Sequence, residues 1–198
     1  MDTALPLTQH RGRPRSEAAN TAILDATLEL LETTCYNNLT IEAIAQKAGV
    51  GKPTIYRRWK TKAAIVSEAF VENASKMMPL PEDQGSFEAN LRALLYLLAE
   101  RLETSIDGKV LRGLVSESQL DDESSAAFLA FIESRREVLR DMIVRECQRK
   151  QKECRLDMET LVDEIYGSVI YRYLLRRQPL NESFLEAHIR FVMNSLAS

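Results

Sequence analysis

Apolar residues recur every three to four positions through almost the whole chain, and no stretch alternates at period two. That rhythm predicts an all-α protein of about nine helices. Ile23, Ala26, Thr27, Leu30 and Leu31 make one face of a first helix ending near Thr33, with Ser16 as its N-cap and Glu17 in its first turn. Asn37-Asn38 is turn chemistry. Thr40 is placed to cap a second helix carrying Ile41, Ile44, Ala45 and Ala48, and Gly49 follows where a left-handed residue is wanted. A short third helix has Pro53 in its first turn, where a missing N–H costs little, and turns Ile55 and Trp59 inward. Thr61 caps a fourth helix reaching about Lys76, with Ile65, Val66, Ala69 and Phe70 as its apolar side.

The segment MMPLPEDQG at 77–85 breaks the pattern and is the best domain boundary. Beyond it the spacing predicts five more helices, over 86–104, 108–119, 124–150, 158–177 and 182–197. The resulting division is a basic arm at 1–15, a helical domain at 16–76 and a second helical domain at 86–198.

Composition narrows the classes. Seven Gly and six Pro in 198 residues are too few for a loop-rich sandwich or a collagen-like chain. Three cysteines (Cys35, Cys147, Cys154) lack CxxC spacing, and with only His10 and His188 no metal site can be assembled. The expectation is therefore no metal and no cofactor. No nucleophile–His–acid set and no glycine-rich phosphate loop is present, so an enzyme is not expected. The longest apolar run, Ala93 to Ala99, is far short of a membrane span, and the first residues lack a signal-peptide core. A cytoplasmic, reduced protein is expected.

Charge changes the picture more. The net charge of −3 is an average over two unlike parts. Residues 10–62 carry nine basic side chains (Arg11, Arg13, Arg15, Lys47, Lys52, Arg57, Arg58, Lys60, Lys62) against five acidic ones, whereas residues 71–198 carry 17 basic and 22 acidic. A basic front on an acidic body points to a polyanion-binding module, the alternative being drift of solvated surface charge.

The basic front coincides with LTIEAIAQKAGVGKPTIYRRWKTK, residues 39–62. Two short amphipathic helices around a Gly-containing turn make a helix-turn-helix, whose second helix enters the major groove of DNA. Ile41, Ile44, Val50, Ile55 and Trp59 would pack the pair together, which leaves Lys52, Thr54, Tyr56, Arg57, Arg58 and Lys60 for phosphates and base edges. A plain helical hairpin with a solvated basic face is the competing interpretation.

This stretch resembles the DNA-binding motif of TetR-type transcriptional repressors, close to T-x-x-x-I-A-x-x-A-G-V-S-x-x-x-x-Y-x-x-F-x-x-K. The matching residues are Thr40, Ile44, Ala45, Ala48, Gly49, Val50, Tyr56, Trp59 and Lys62. Gly51 stands where the family usually has Ser, so a capping hydroxyl is missing, and Trp59 replaces the common Phe. The resemblance covers about residues 16–70. It implies a ligand-responsive repressor that binds a double-stranded, pseudo-palindromic operator as a homodimer. Thr40, Gly51, Lys52, Pro53, Thr54, Tyr56, Lys60 and Lys62 are then expected at the DNA, with Arg57 as the candidate base reader. Arg11-Gly12-Arg13-Pro14-Arg15 resembles an AT-hook, in which an extended chain lays arginines into a narrow minor groove. A basic tail giving only non-specific attraction is the alternative.

In the second domain, residues 158–177 carry apolar pairs every four residues, and the last helix repeats the pattern. The resemblance implies that these helices form a dimer interface, with Leu161, Ile165, Val169, Ile170, Phe184, His188 and Val192 as candidates. An intramolecular core is the other possibility. It also implies an effector cavity for a small apolar or aromatic molecule among the middle helices, which supply Leu102, Ile132 and Met142 besides the candidates Tyr96, Leu98, Leu114, Phe128 and Phe131. Tyr166 and Tyr173 are further candidates, and each of these residues could equally be plain core. A helical protein-interaction adaptor and a redox-responsive regulator using Cys147 and Cys154 are the remaining readings. Seven residues of helix rise about 10.5 Å, too far for a disulfide between those two cysteines.

Overall fold

The computed structural model describes residues 13–77, 82–119, 122–151 and 157–197, and among them every regular element is helical. Helices α1 (Arg13–Thr33), α2 (Ile41–Lys47), α3 (Lys52–Tyr56) and α4 (Lys62–Met77) are followed by α5 (Phe87–Thr104), α6 (Asp107–Ser118), α7 (Asp122–Lys150), α8 (Met158–Ile170) and α9 (Glu182–Ala197). A 3₁₀ turn over Tyr36–Asn38 joins α1 to α2.

Local chemistry fixes most of the helix ends. Thr40 Oγ1 accepts the Ala43 N–H at 3.2 Å and Thr61 Oγ1 accepts that of Ala64 at 3.1 Å, each satisfying a donor the helix leaves open. Ser86 caps α5 through the Ala89 N–H, and Asp157 caps α8 through that of Thr160. Gly49, at φ +66°, takes the left-handed position that ends α2.

Two segments depart from the pattern reading. Helix α1 begins at Arg13, so the backbone of Arg13, Pro14 and Arg15 is helical rather than an extended arm, and Ser16 lies inside the helix instead of capping it. Pro14 in a first helical turn gives up an N–H that has no partner there. Arg11 lies outside the described residues, as does Cys154. The expected helix over 158–177 is also interrupted. After Ile170 the backbone widens into a π-helical turn, Tyr171–Leu175, closed by Arg176 N–H to Tyr171 C=O at 3.1 Å, and Arg177 then turns left-handed at φ 51°. The wide turn buries Tyr173 while leaving Tyr171 and Leu175 outside.

A single connected set of buried side chains extends from Ile23 on α1 to Val192 on α9. Helix α4 runs through it: Ala63, Ile65, Val66, Ser67, Ala69 and Phe70 are all buried. It packs on α1 at one side and on α6 and α7 at the other. Side-chain anchors tie the remaining elements in. Glu146 of α7 accepts the Phe87 N–H at the start of α5, and buried Asn90 accepts the Gln84 N–H while donating to Asp83.

Glycine is needed where α6 meets the 3₁₀ turn. A Cβ at Gly113 would sit 2.3 Å from Cγ of Tyr36 and 2.6 Å from its Cβ, so the α6 backbone lies directly on that ring. The Gly113→Ala variant should therefore lose about 1–3 kcal/mol of stability, the usual cost of overpacking, as read by urea unfolding. Unchanged stability would mean that the ring yields freely.

Between α7 and α8, Arg136 and Arg140 share Glu133 of α7 and Glu159 of α8, and Arg136 also pairs with Asp163 of α8. Hydrogen bonds from Arg140 and then Arg136 hold the Glu159 carboxyl down at about 2, against an ordinary value of 4.5. A lowered carboxyl pKa contributes stability above the unfolded value and loses it as the pH falls toward the folded one. The stability difference between wild type and Glu159→Gln should be constant above about pH 4.5 and shrink toward pH 2. A difference that does not vary across this window would show that the network does not act through ionised Glu159.

Candidate functional site

The sequence 40–62 folds as two short helices set against α1 and α4. Ile44 and Ile55 are wholly buried and Trp59 nearly so, which holds the inner side of α3 in place. A buried indole N–H needs an acceptor. Trp59 Nε1 donates to Glu68 Oε2 of α4 at 2.7 Å, while Arg58 pairs with the other oxygen and stacks 5.1 Å from the Trp59 ring. Glu68 therefore fixes the end of α3 to α4. The sequence reading missed this residue, although an obligatory donor at Trp59 was the signal that some acceptor had to be near.

On the outer side, Pro53, Arg57 and Lys60 are exposed and Tyr56 is half so; Thr54 is partly covered. Gly51 starts α3 with no side-chain cap, as the missing hydroxyl implies. Thr40 is exposed beside them with its hydroxyl oxygen engaged at the α2 cap. Lys52 bonds Glu42 at 2.6 Å, which raises the lysine pKa and lowers that of the carboxyl. This bond ties α2 to α3 on the same exposed surface.

Lys62 departs from expectation. Its Nζ donates to the Tyr36 carbonyl at 3.0 Å and lies 4.4 Å from the centre of that ring, so the ammonium faces the protein. The cause is geometric: Lys62 opens α4 directly beside the 3₁₀ turn, where a carbonyl and a ring face offer more than solvent does. The exposed basic set is thus narrower than the motif suggested and centres on Arg57 and Lys60.

In the body, α4 to α8 enclose a cavity of about 510 Å³. Four of the expected residues, Leu98, Phe128, Phe131 and Tyr166, line it. Three do not. Tyr96 turns away to bond Glu186 of α9 at 3.1 Å, Leu114 is packed in the core, and Tyr173 donates to the Leu102 carbonyl at 2.7 Å and lines a separate surface depression with Arg112. Phe70 of α4 forms part of the wall, meeting Phe131 edge to face at 4.9 Å. Charged groups also reach the lining. Arg101 pairs with Asp107 at 2.6 Å, and Arg135 and Arg136 lie nearby on α7. Tyr166 donates its hydroxyl to the Arg135 carbonyl, and burial pushes its phenol up to about 12. None of these charged residues was singled out from the sequence.

The expected dimer residues are placed differently again. Leu161, Ile165, Val169 and Val192 are buried within the chain, Ile170 lines the cavity, and Phe184 is half covered. His188 bonds the Ile165 carbonyl at 3.0 Å and stacks on Phe184. Side chains with no exposed surface in one chain have none to give to a second, so this stripe joins α8 to α9. Left outside on these last two helices are Tyr171, Leu175 and Phe191, exposed by 57, 74 and 54%.

Among the described residues no helix is long and apolar enough to cross a membrane, and no group of three or more His, Cys, Asp or Glu could hold a metal. Residues 23–69 match the family model for bacterial regulatory proteins of the tetR family, and residues 81–192 match that of the tetracyclin repressor-like C-terminal domain. The uncharacterized HTH-type transcriptional regulator YdeS of Bacillus subtilis is 34% identical over 88% of both chains. The crystal structure of the TetR family transcription regulator SCO0332 superposes with a TM-score of 0.78 at 25% identity, covering 89% of this chain and 97% of that one. FadR from Bacillus subtilis, solved in complex with stearoyl-CoA, has a TM-score of 0.61 at 18% identity, covering 90% and 97%. The chain belongs to the TetR family of bacterial transcriptional regulators, ligand-responsive repressors that bind DNA through a helix-turn-helix.

Proposed function

We propose that residues 16–76 read a pseudo-palindromic operator as one half of a homodimer, and that residues 86–198 dimerise and take a small-molecule effector that releases the DNA. The observation that carries this reading is the outer side of α3. Arg57, which caps the C-terminal end of α3, and Lys60 just beyond it stand exposed there, on a segment held from behind by buried Ile55 and Trp59 and by the bond from Trp59 to Glu68. Lys60 suits phosphate, and the Arg57 fork suits the two acceptors of guanine. Thr40, Lys52, Thr54 and Tyr56 border the same surface and suit phosphate oxygens. Arg13 and Arg15 would add charge from the first turn of α1, with Arg11 two residues before them in sequence.

Two recognition helices must meet half-sites one DNA turn or a multiple of it apart, so a second copy is part of the reading. Tyr171 and Leu175 in the π turn after α8, and Phe191 on α9, are large apolar side chains that these elements leave exposed, and they are the surface available for a dimer contact. Release follows if the effector favours a helix arrangement in which the two reading heads no longer match the half-sites. Phe70 supports such a coupling, since one helix both walls the cavity and carries Glu68. FadR, solved in complex with stearoyl-CoA, is a precedent within this fold for a bound small molecule.

A gel shift against DNA from upstream of the gene, at two salt concentrations, should give a defined site with steep salt dependence. Arg57→Ala should weaken that site by about 1–3 kcal/mol, relax discrimination at one base pair and leave folding intact. Uniform weakening across all sequences would assign Arg57 to phosphate instead. The double variant Leu175→Asp, Phe191→Asp should sediment as a folded monomer and lose the palindromic site. A dimer that persists would place the interface elsewhere.

A further inference from the structure

The cavity has an apolar wall with an unbalanced charge in it, and this narrows the ligand class. Of the five charged residues in the lining, Arg136 is engaged by Asp163 and Glu159, and Arg101 by Asp107. Arg135 has no carboxylate partner among the described residues; its guanidinium lies 5.5 Å from the Phe131 ring, and its buried Nε has no hydrogen-bond acceptor. A second buried polar atom of the lining residues is also unsatisfied. Asp107 is 3% exposed, and its Oδ1 accepts nothing, the pair with Arg101 being made through Oδ2. Buried donors and acceptors without partners are uncommon in folded proteins and call for a missing partner.

The signs decide which partner. A cation directed at Asp107 would meet Arg101, which already neutralises that carboxyl, in a lining that also carries the unpaired Arg135. An anion meets in Arg135 a guanidinium with an open donor and no competing carboxylate. The rest of the surface, from Phe70, Leu94, Leu98, Phe128 and Ile132, offers only hydrocarbon. The volume of about 510 Å³ lies in the range of small-molecule sites.

We propose that the cavity binds an apolar monocarboxylate, with its carboxylate on Arg135 and its hydrocarbon body against the phenylalanine and leucine wall. Asp107 Oδ1 offers an acceptor to a hydroxyl or N–H on the ligand body. This assignment rests on the effector reading above and names the chemistry of its site.

The test compares carboxylates with their neutral and cationic counterparts on the full chain: decanoate against decanol and decylamine, and 2-naphthoate against 2-naphthol. Binding is measured by calorimetry and thermal unfolding without DNA, so the outcome is independent of any operator. At least one carboxylate should bind tenfold or more tightly than its alcohol and raise Tm. Arg135→Gln should abolish that preference while leaving alcohol binding and the unliganded Tm unchanged, and Arg135→Lys should restore part of it. Equal or tighter binding of the alcohols, preference for decylamine, binding of neither carboxylate, or a preference that survives Arg135→Gln would each overturn the assignment. A bound carboxylate that leaves the protein on its operator would support the ligand class and count against the effector reading.

Discussion

The motif and the body meet on one helix that is buried on more than one side. A helix apolar on one stripe needs cover on one side; α4 buries Ala63, Ile65, Val66, Ser67, Ala69 and Phe70 and so needs cover on several. Helix α1 supplies it on one side and α6 and α7 on the other, so the motif and the body are built on a shared support. The same helix presents Glu68 to Trp59 and Phe70 to the cavity, two positions half a turn apart. A change in the cavity wall and a change in the seat of α3 are therefore changes in the position of one rigid body.

The charges divide by what they face. Exposed pairs such as Lys52–Glu42 and Lys47–Glu29 contribute little to stability, because water and salt screen them. They set how much free positive charge the outer surface presents. Bonds from Lys62 to the Tyr36 carbonyl and from Trp59 to Glu68 are structural, and they position the exposed groups without touching anything outside the chain. Inside the body, the pairing of Arg101 with Asp107 and of Arg136 with α8 leaves Arg135 as the charge the fold has not balanced.

How much of this was legible in the sequence depends on the range of the interaction. Thr40, Thr61 and Gly49 act on backbone groups within four residues, and local rules found them. The stripe of Leu161, Ile165, Val169 and Val192 shows the limit of periodicity: it says that a face is covered but not whether the cover comes from the same chain. The π turn at Tyr171 resets which residues face out, Tyr173 turning inward and Leu175 outward, and no 3.6-residue count foresees that. Lys62 and Glu68 were obscure for another reason, since their partners come together only when α4 docks. Arg135 and Asp107 look like any charges on a helical surface until α5 to α8 close around them. Nothing in their spacing marks them as inward.

The bare backbone of α6 at Gly113 has a mechanical meaning. Most helix contacts are cushioned by side chains that can change rotamer and absorb a few tenths of an ångström. Where the main chain rests on the Tyr36 ring there is no such compliance, and Lys62 sits on the same ring. The joint has almost no backlash. A push of α6 toward this ring presses directly on Tyr36 and the Lys62 ammonium beside it, at the base of the helix-turn-helix.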